Sequence, residues 1–404
     1  MVPPPRVLIV ADDLTGAMDS AGPFAGIGVE TWVVAAPMQC DPATIARARV
    51  VSVNTDSRHL PAVHAATRVR EIVRRLGPGA FDVVVKKIDS TLRGNVVAET
   101  LALLETSGRR WAVIAPAFPA QGRTVKSGVV HVNGVPLAET AFAGDALSPP
   151  PLAPLQQVFA EARPGLGVAI AGAADDFSSQ SDIRIWIVDG VTDADLAATV
   201  SAVQGRLGEL LLAGSAGITK PLARACFGTA VSQAVPEKLT GTIVFAVGSR
   251  AVQSAEQVES LMQEPGTRIL RAPNGRLSQK EFPAARNVVL KATADDAGGE
   301  GDAQQVAVDM ARNAIDVARR TQAQALVATG GDTAIAILTV TGNPALQVLG
   351  DLMPGIPYAR IRVDGTLLWL VTKAGGFGGR DTFRQIARRL RAETALTTVV
   401  ERKG

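Results

Sequence analysis

A chain of 404 residues is longer than one ordinary domain, and 47% hydrophobic with 20% charged residues describes a globular protein with a sizeable core. The 41 basic and 38 acidic residues leave +3 spread along the chain, and aromatics at 4% supply no stacking platform, so nucleic-acid binding has no support. Cys40, Cys226, His59, His64 and His131 lack the spacing of disulfides or metal sites, and no apolar run reaches the roughly 18 residues of a membrane span.

The N-terminus lacks the apolar stretch of a signal peptide, so a cytoplasmic location is expected. In chain order, a buried-strand pattern at 7–11 runs straight into Asp12 and Asp13, then Gly16 and a helical run. Ligands of open α/β sheets bind outside the carboxyl ends of strands, so this acidic loop stands where a ligand should. Two carboxylates repel phosphate but accept hydrogen bonds from hydroxyls or hold a divalent cation. The plain alternative is that Asp13 or Thr15 caps the following helix.

Strands are expected at 31–35, 50–54, 82–86 and 111–115, with helices at 61–76 and 95–105. The strand at 50–54 ends in Asn54-Thr55-Asp56-Ser57-Arg58. The next ends in Lys86-Lys87-Ile88-Asp89-Ser90-Thr91-Leu92-Arg93-Gly94-Asn95. Lysines, arginines, hydroxyls and a carboxylate at one edge suit a small polyhydroxylated anion, since Arg grips a carboxylate bidentately and Lys supplies a point charge. Here the plain alternative is capping by Ser90 or Asn95. Asn133-Gly134 predicts a hairpin within 128–136. The prolines at 149–151 and 154 read as a loop, followed by strands at 168–171, 183–188 and 210–213 and a helix at 193–207. A polar connector at 233–241 sets two domains, 1–236 and 237–404.

The second half predicts strands at 242–247, near Ile269, near Val288, at 325–328 and at 367–371. Helices are expected at 251–263, 302–320, 333–340 and 381–391, with an exposed loop at 295–302. The alternation is that of α/β proteins with a largely parallel sheet flanked by helices. Three of these strands end in glycines: Gly248-Ser249, Gly330-Gly331-Asp332-Thr333, and Gly375-Gly376-Phe377-Gly378-Gly379 after Lys373. Such loops let N–H groups approach phosphate, with a helix N-terminus behind them. Tight turns alone are the bland reading of each. No Gly-Lys dipeptide and no G-x-G-x-x-G occur, which excludes the P-loop and disfavours a Rossmann oxidoreductase. Gly214-Ser215-Ala216-Gly217 follows Ala213 and is no nucleophile elbow.

Taken together, Ala-Asp-Asp-Leu-Thr-Gly-Ala at 11–17, Lys-Lys-Ile-Asp-Ser-Thr-Leu-Arg-Gly-Asn at 86–95, Ala115-Pro-Ala-Phe-Pro119 with Gly122-Arg-Thr124, Gly-Gly-Asp-Thr at 330–333 and Lys-Ala-Gly-Gly-Phe-Gly at 373–378 resemble the four-carbon acid sugar kinase family. The resemblance implies an N-terminal sugar-acid domain and a C-terminal ATP domain, with the active site in the cleft between them. It implies ATP-dependent phosphorylation of the terminal hydroxyl of threonate, erythronate or a 3-oxo-tetronate. Asp12, Asp13, Arg58, Lys87, Ile88, Asp89 and Ser90 would contact the sugar acid, joined by Arg93. Ser249, Gly330, Gly331, Asp332, Thr333, Gly375, Gly376, Phe377 and Gly378 would contact ATP. Relatives often read Gly-Ser-x-Ser-x-x-Thr-x-x-Gln after the first glycine loop. This chain keeps Ser249 and Gln257 but has Ala251 where a hydroxyl is usual. Mg²⁺ is expected to bridge the phosphates, and either Asp13 or Asp332 to accept the hydroxyl proton, Asp332 being a metal ligand in the other case. The alternative function is a non-catalytic sugar-acid sensor. A homodimer is the base-rate expectation.

Overall fold

Runs such as Val7-Leu8-Ile9-Val10 and Val83-Val84-Val85 demand a strand buried on both faces, the environment of a parallel sheet covered by helices. The computed structural model shows that environment: every residue of β1 (Val7–Ala11) is buried. It describes residues 4–145, 148–175, 177, 182–229, 238–277, 285–294 and 302–391. The chain forms two compact units, Met1–Ala234 with Ala334–Asp364, and Val235–Thr333 with Gly365–Gly404. Most of the expected connector and of the loop at 295–302 lies outside the described residues.

In the first unit β1 is followed by α1 (Leu14–Ala25), β2 (Thr31–Val34), α2 (Pro42–Ile45), β3 (Val50–Asn54), α3 (Ala62–Leu76), β4 (Val83–Lys87), α4 (Val96–Thr106) and β5 (Trp111–Ala115). A small antiparallel meander comes next, β6 (Arg123–Lys126), β7 (Val129–Val132) and β8 (Val135–Pro136). Its Asn133 and Gly134 both take positive φ, as the expected hairpin turn requires. Then come α5 (Leu155–Ala162), β9 (Gly167–Ala171), β10 (Ile183–Val188), α6 (Asp193–Val203), β11 (Leu210–Gly214) and α7 (Thr219–Phe227). The spacing of Ala65, Ala66, Val69, Ile72 and Val73 gives α3 one buried stripe, and Gly77 in the left-handed region ends it.

The second unit holds β12 (Ile243–Val247), α8 (Val252–Leu261), β13 (Thr267–Pro273), β14 (Asn287–Thr293), α9 (Ala303–Arg320) and β15 (Ala325–Thr329). The division between the units falls within α10 (Gly331–Val340). Then β16 (Ala345–Met353) and β17 (Ile356–Val363) belong to the first unit, and β18 (Thr366–Lys373) and α11 (Thr382–Arg391) to the second. The strands β16 and β17 were not expected from the sequence. They form an antiparallel pair, and β16 adds antiparallel to β2.

The first unit's strands run in the order β17-β16-β2-β3-β1-β4-β11-β5-β10-β9, parallel from β2 to β9. Those of the second run β13-β14-β12-β15-β18, all parallel. In the first unit the chain leaves β1 toward β2 on one side and β4 toward β5 on the other, and in the second it leaves β12 toward β13 and β15 toward β18, so a switch point lies between β1 and β4 and another between β12 and β15. Such a switch point opens a crevice at the strands' carboxyl ends. No described helix is long and apolar enough to cross a membrane.

Candidate functional site

The loops after β1, β3 and β4 lie side by side around the first switch point, and their charged residues meet there. Arg58 donates from Nε to Asp12 Oδ2 at 2.7 Å, from Nη2 to Asp12 Oδ1 at 3.1 Å, and from Nη1 to Asp13 Oδ2 at 2.6 Å. Asp13 is also the N-cap of α1, its Oδ1 accepting from the Gly16 amide at 2.8 Å, and Thr15 Oγ1 donates to its Oδ2 at 2.6 Å. The capping alternative therefore holds for Asp13, but the same carboxylate also belongs to the ionic cluster. Arg93 takes Asp89 in the same two-pronged way, Nε to Oδ2 and Nη2 to Oδ1, both at 3.0 Å. Thr91 donates to Asp89 from its amide and its hydroxyl. Ser90 and Asn95 cap nothing: α4 has no side-chain cap, and Asn95 Nδ2 instead holds the carbonyls of Ser57 and Leu60 at 3.2 and 2.8 Å.

These contacts set the charge states. Burial works to raise the Asp12 carboxyl, but Arg58, Lys86 and Lys87 outweigh it and leave the group below its usual range. At Asp89 burial is likewise overcome, by Arg93 and Arg58, which hold it well below. Behind the loops lies a fully buried pair, Lys86 Nζ and Glu99 Oε2 at 2.9 Å, each 1% exposed. Glu99 Oε1 accepts from Ser57 Oγ at 2.8 Å, and Ser57 meets Thr55 Oγ1 at 2.6 Å. Thr55 Oγ1 donates to the carbonyl of Ala11 at 2.9 Å, so the network is tied to the end of β1.

Lys87 is nearly buried, with Nζ 3.9 Å from Asp19 Oδ1. Asp19 was not singled out from sequence. Burial pushes its carboxyl up to about 7; Lys87 opposes this and Asp13 adds to it. Ile88 departs from the expected set: its side chain is 1% exposed in the core and its amide donates to the Gly214 carbonyl at 2.9 Å, so neither faces a ligand.

Around the second switch point the three glycine loops touch. A Cβ on Gly248 would stand 2.1 Å from Thr333 Oγ1, and one on Gly375 would stand 2.2 Å from Ser249 Oγ. These glycines are there to let the loops close on one another. The amide of Gly330 donates to the carbonyl of Lys373 at 2.9 Å. Gly331, Asp332 and Thr333 open α10, whose first-turn amides have no intrahelical acceptor. Asp332 is exposed and has no ion pair among the described residues. Lys373 does not stand as a free positive charge. It is buried and directs Nζ into its own loop. Ala251 is the N-cap of α8 with no side-chain bond, so the hydroxyl missing from the expected motif is a missing cap.

The structure thus gathers Asp12, Asp13, Arg58, Lys87, Asp89, Ser90 and Arg93 at the strand ends of one unit. Ser249, Gly330 to Thr333 and Gly375 to Gly378 gather at those of the other. Cavities of about 540 and 520 Å³ in the first unit lie elsewhere, at the strands' amino ends near Asp82, Arg109 and Arg184.

Two domain families match the chain. A sugar-binding N-terminal domain covers residues 7–222, and a nucleotide-binding C-terminal domain covers residues 244–383. A chain that pairs these domains is of the phosphotransferase class. Its relatives are named accordingly. A D-threonate kinase of Cupriavidus necator is 34% identical over 92% of this chain and 94% of its own. A D-threonate kinase of Salmonella typhimurium is 30% identical over 93% and 96%, and a 3-oxo-tetronate kinase of Methylobacterium radiotolerans is 30% identical over 93% and 96%. The chain belongs to the four-carbon acid sugar kinase family, and it is a kinase. The fold is shared with a Salmonella typhimurium LT2 crystal structure at TM-score 0.74 and 20% identity, covering 95% of this chain and 99% of that one.

Proposed function

We propose that this kinase transfers the γ-phosphoryl group of ATP to the terminal hydroxyl of a four-carbon sugar acid, with D-threonate as its substrate. The observation that carries the reading is the opposite polarity of the two switch points. One offers carboxylates, hydroxyls and paired cations to a hydroxylated acid, and the other offers amides that, among the described residues, donate to nothing. D-threonate is favoured over the 3-oxo acid because relatives named for it reach 34% and 33% identity, against 30% for the first of those named for the oxo acid.

In this reading Lys87 and the half-exposed Arg93 hold the substrate carboxylate, and Asp12, Asp13, Asp89 and Ser90 receive its hydroxyls. Arg58 does not clamp the substrate alone; it fixes the two aspartates. The glycine loops with Ser249 and Thr333 hold the nucleotide phosphates. Asp13 already accepts from Gly16, Thr15 and Arg58, whereas the carboxylate of Asp332 is unengaged, so Asp332 is the better acceptor for the hydroxyl proton. Were Asp13 the base instead, the open carboxylate of Asp332 would suit Mg²⁺, which is usually held by one or two carboxylates plus phosphate oxygens. When bound, the ion would neutralise charge on the phosphates.

A coupled assay of ADP release with D-threonate, D-erythronate and a 3-oxo-tetronate tests the proposal, with D-threonate expected to give the highest kcat/KM. If none of these acids stimulates ATP turnover while ATP still binds, the sensor alternative takes its place. Asp332→Asn should abolish turnover; unimpaired turnover in that variant removes Asp332 as the base.

A further inference from the structure

The Gly375 to Gly379 loop has a polarity that one side chain largely determines. Lys373 Nζ donates to the carbonyls of Ala374, Gly375 and Phe377 at 2.7, 3.0 and 2.9 Å. Two side chains of α8 continue the pattern: Ser254 Oγ donates to Gly375 at 2.8 Å, and Gln257 Nε2 reaches Phe377, Gly378 and Gly379 at 2.9, 3.2 and 3.1 Å. Thr382 Oγ1 adds a bond to Gly379 at 2.8 Å. The carbonyls of 374, 375, 377, 378 and 379 are therefore all drawn to the protein side. A trans peptide points its N–H opposite to its C=O. The amides paired with the first four of those carbonyls belong to Gly375, Gly376, Gly378 and Gly379. Among the described residues these four amides donate to nothing. The one loop amide of 375–379 that is bonded, that of Phe377, donates to Ala374.

We propose that Lys373 is a positioning residue of the nucleotide site, which binds the inner carbonyls of this loop and so turns its outer amides into a receptor for phosphate. The inference rests on the nucleotide reading of the second unit. It differs from a direct lysine–phosphate contact, because Lys373 is 1% exposed and its three proton positions are filled by carbonyls. Among the described residues no carboxylate forms an ion pair with the ammonium, and burial draws its pKa down to about 7. A neutral hydrophobic residue would be cheaper at such a place unless the donors were required.

The test compares wild type and Lys373→Met, which keeps the stem and removes the donors, by calorimetric titration with MgADP and by steady-state kinetics. The expected result is a tenfold or greater loss of MgADP affinity and a matching rise in KM for ATP. KM for the sugar acid and kcat at saturating ATP should stay within about twofold. A folded variant with MgADP affinity within twofold of wild type overturns the inference, and so does a fall in kcat without a change in KM for ATP. Should Lys373→Met fail to fold, Gln257→Leu removes the same class of contact from Phe377, Gly378 and Gly379 and is read by the same criterion. Failure of wild type itself to bind MgADP would instead sink the nucleotide reading.

Discussion

Arg58 reaches back over 46 residues of sequence to hold Asp12 with two parallel hydrogen bonds, Nε to Oδ2 and Nη2 to Oδ1. Both partners are largely withdrawn from water, at 12% and 4% exposure, so neither can exchange the other for solvent. The pair makes the end of β1 a rigid edge on which a ligand's hydroxyls can be read.

Removing one member of such a pair should cost more than removing both. Arg58→Met leaves the Asp12 carboxylate buried without its hydrogen-bonded guanidinium, a change worth about 3–5 kcal/mol. Adding Asp12→Asn removes the uncompensated charge and should restore a large part of that loss. Chemical denaturation of the single and double variants measures the coupling. Simple additivity of the two changes would show that the pair is not a stability element.

Ala251→Ser should supply the missing cap of α8. Ala251 already has the extended backbone of an N-cap residue, so the hydroxyl needs no rearrangement to meet a first-turn amide. The expected gain is about 1 kcal/mol, read as a rise in the denaturation midpoint. If ATP affinity rises severalfold while stability does not change, the hydroxyl is a nucleotide contact and not a cap.

The strand ends were legible in the sequence because parallel strands are continuous apolar runs, and a charge or glycine at the end of such a run has nowhere to go but the crevice. Pairing was not legible. Nothing in the spacing of Arg58 and Asp12 shows that the arginine serves the aspartates before any substrate, and nothing near Lys373 shows that it turns inward to its own loop carbonyls. The residues after α10 were missed for a different reason. Leu346, Val348 and Leu352 alternate as a strand should, but Gly350 breaks the pattern and the Pro354-Gly355 turn between β16 and β17 reads as a loop. Asp351 arrives with that hairpin, which packs against α1, the helix that carries Asp19.

Those two acids should give the protein a pH dependence of known sign. Burial and the nearby Asp19 push the Asp351 carboxyl from 3.8 up to about 8, against an opposing pull from Lys220. A carboxyl that holds its proton more tightly folded than unfolded favours the fold at low pH, and that contribution is lost as pH rises through its folded pKa. Asp351→Asn cannot ionise. It should match wild type near pH 4 and exceed it increasingly toward about pH 8, with a constant margin above. Each tenfold in proton affinity is worth about 1.4 kcal/mol, so the margin should be readily measured. A margin independent of pH would mean that Asp351 titrates normally.

The contact between Gly22 of α1 and Asp351 of β16 makes a last prediction whose sign depends on the background. A Cβ on Gly22 would stand 1.8 Å from Asp351 Oδ1 and 2.5 Å from its Cγ, and Oδ1 is buried without a hydrogen-bond partner among the described residues. In wild type, Gly22→Ala must push the carboxyl out of a packed site, at about 1–3 kcal/mol. In an Asp351→Ala background the three atoms nearest that Cβ, all of the carboxyl group, are gone. Gly22 lies inside a helix, where alanine is favoured over glycine by roughly 1 kcal/mol. The same Gly22→Ala change should therefore be destabilising in one chain and stabilising in the other, as read from denaturation midpoints of the four proteins. A loss of equal size in both backgrounds would place the obstacle in the helix backbone, because only the carboxyl differs between them.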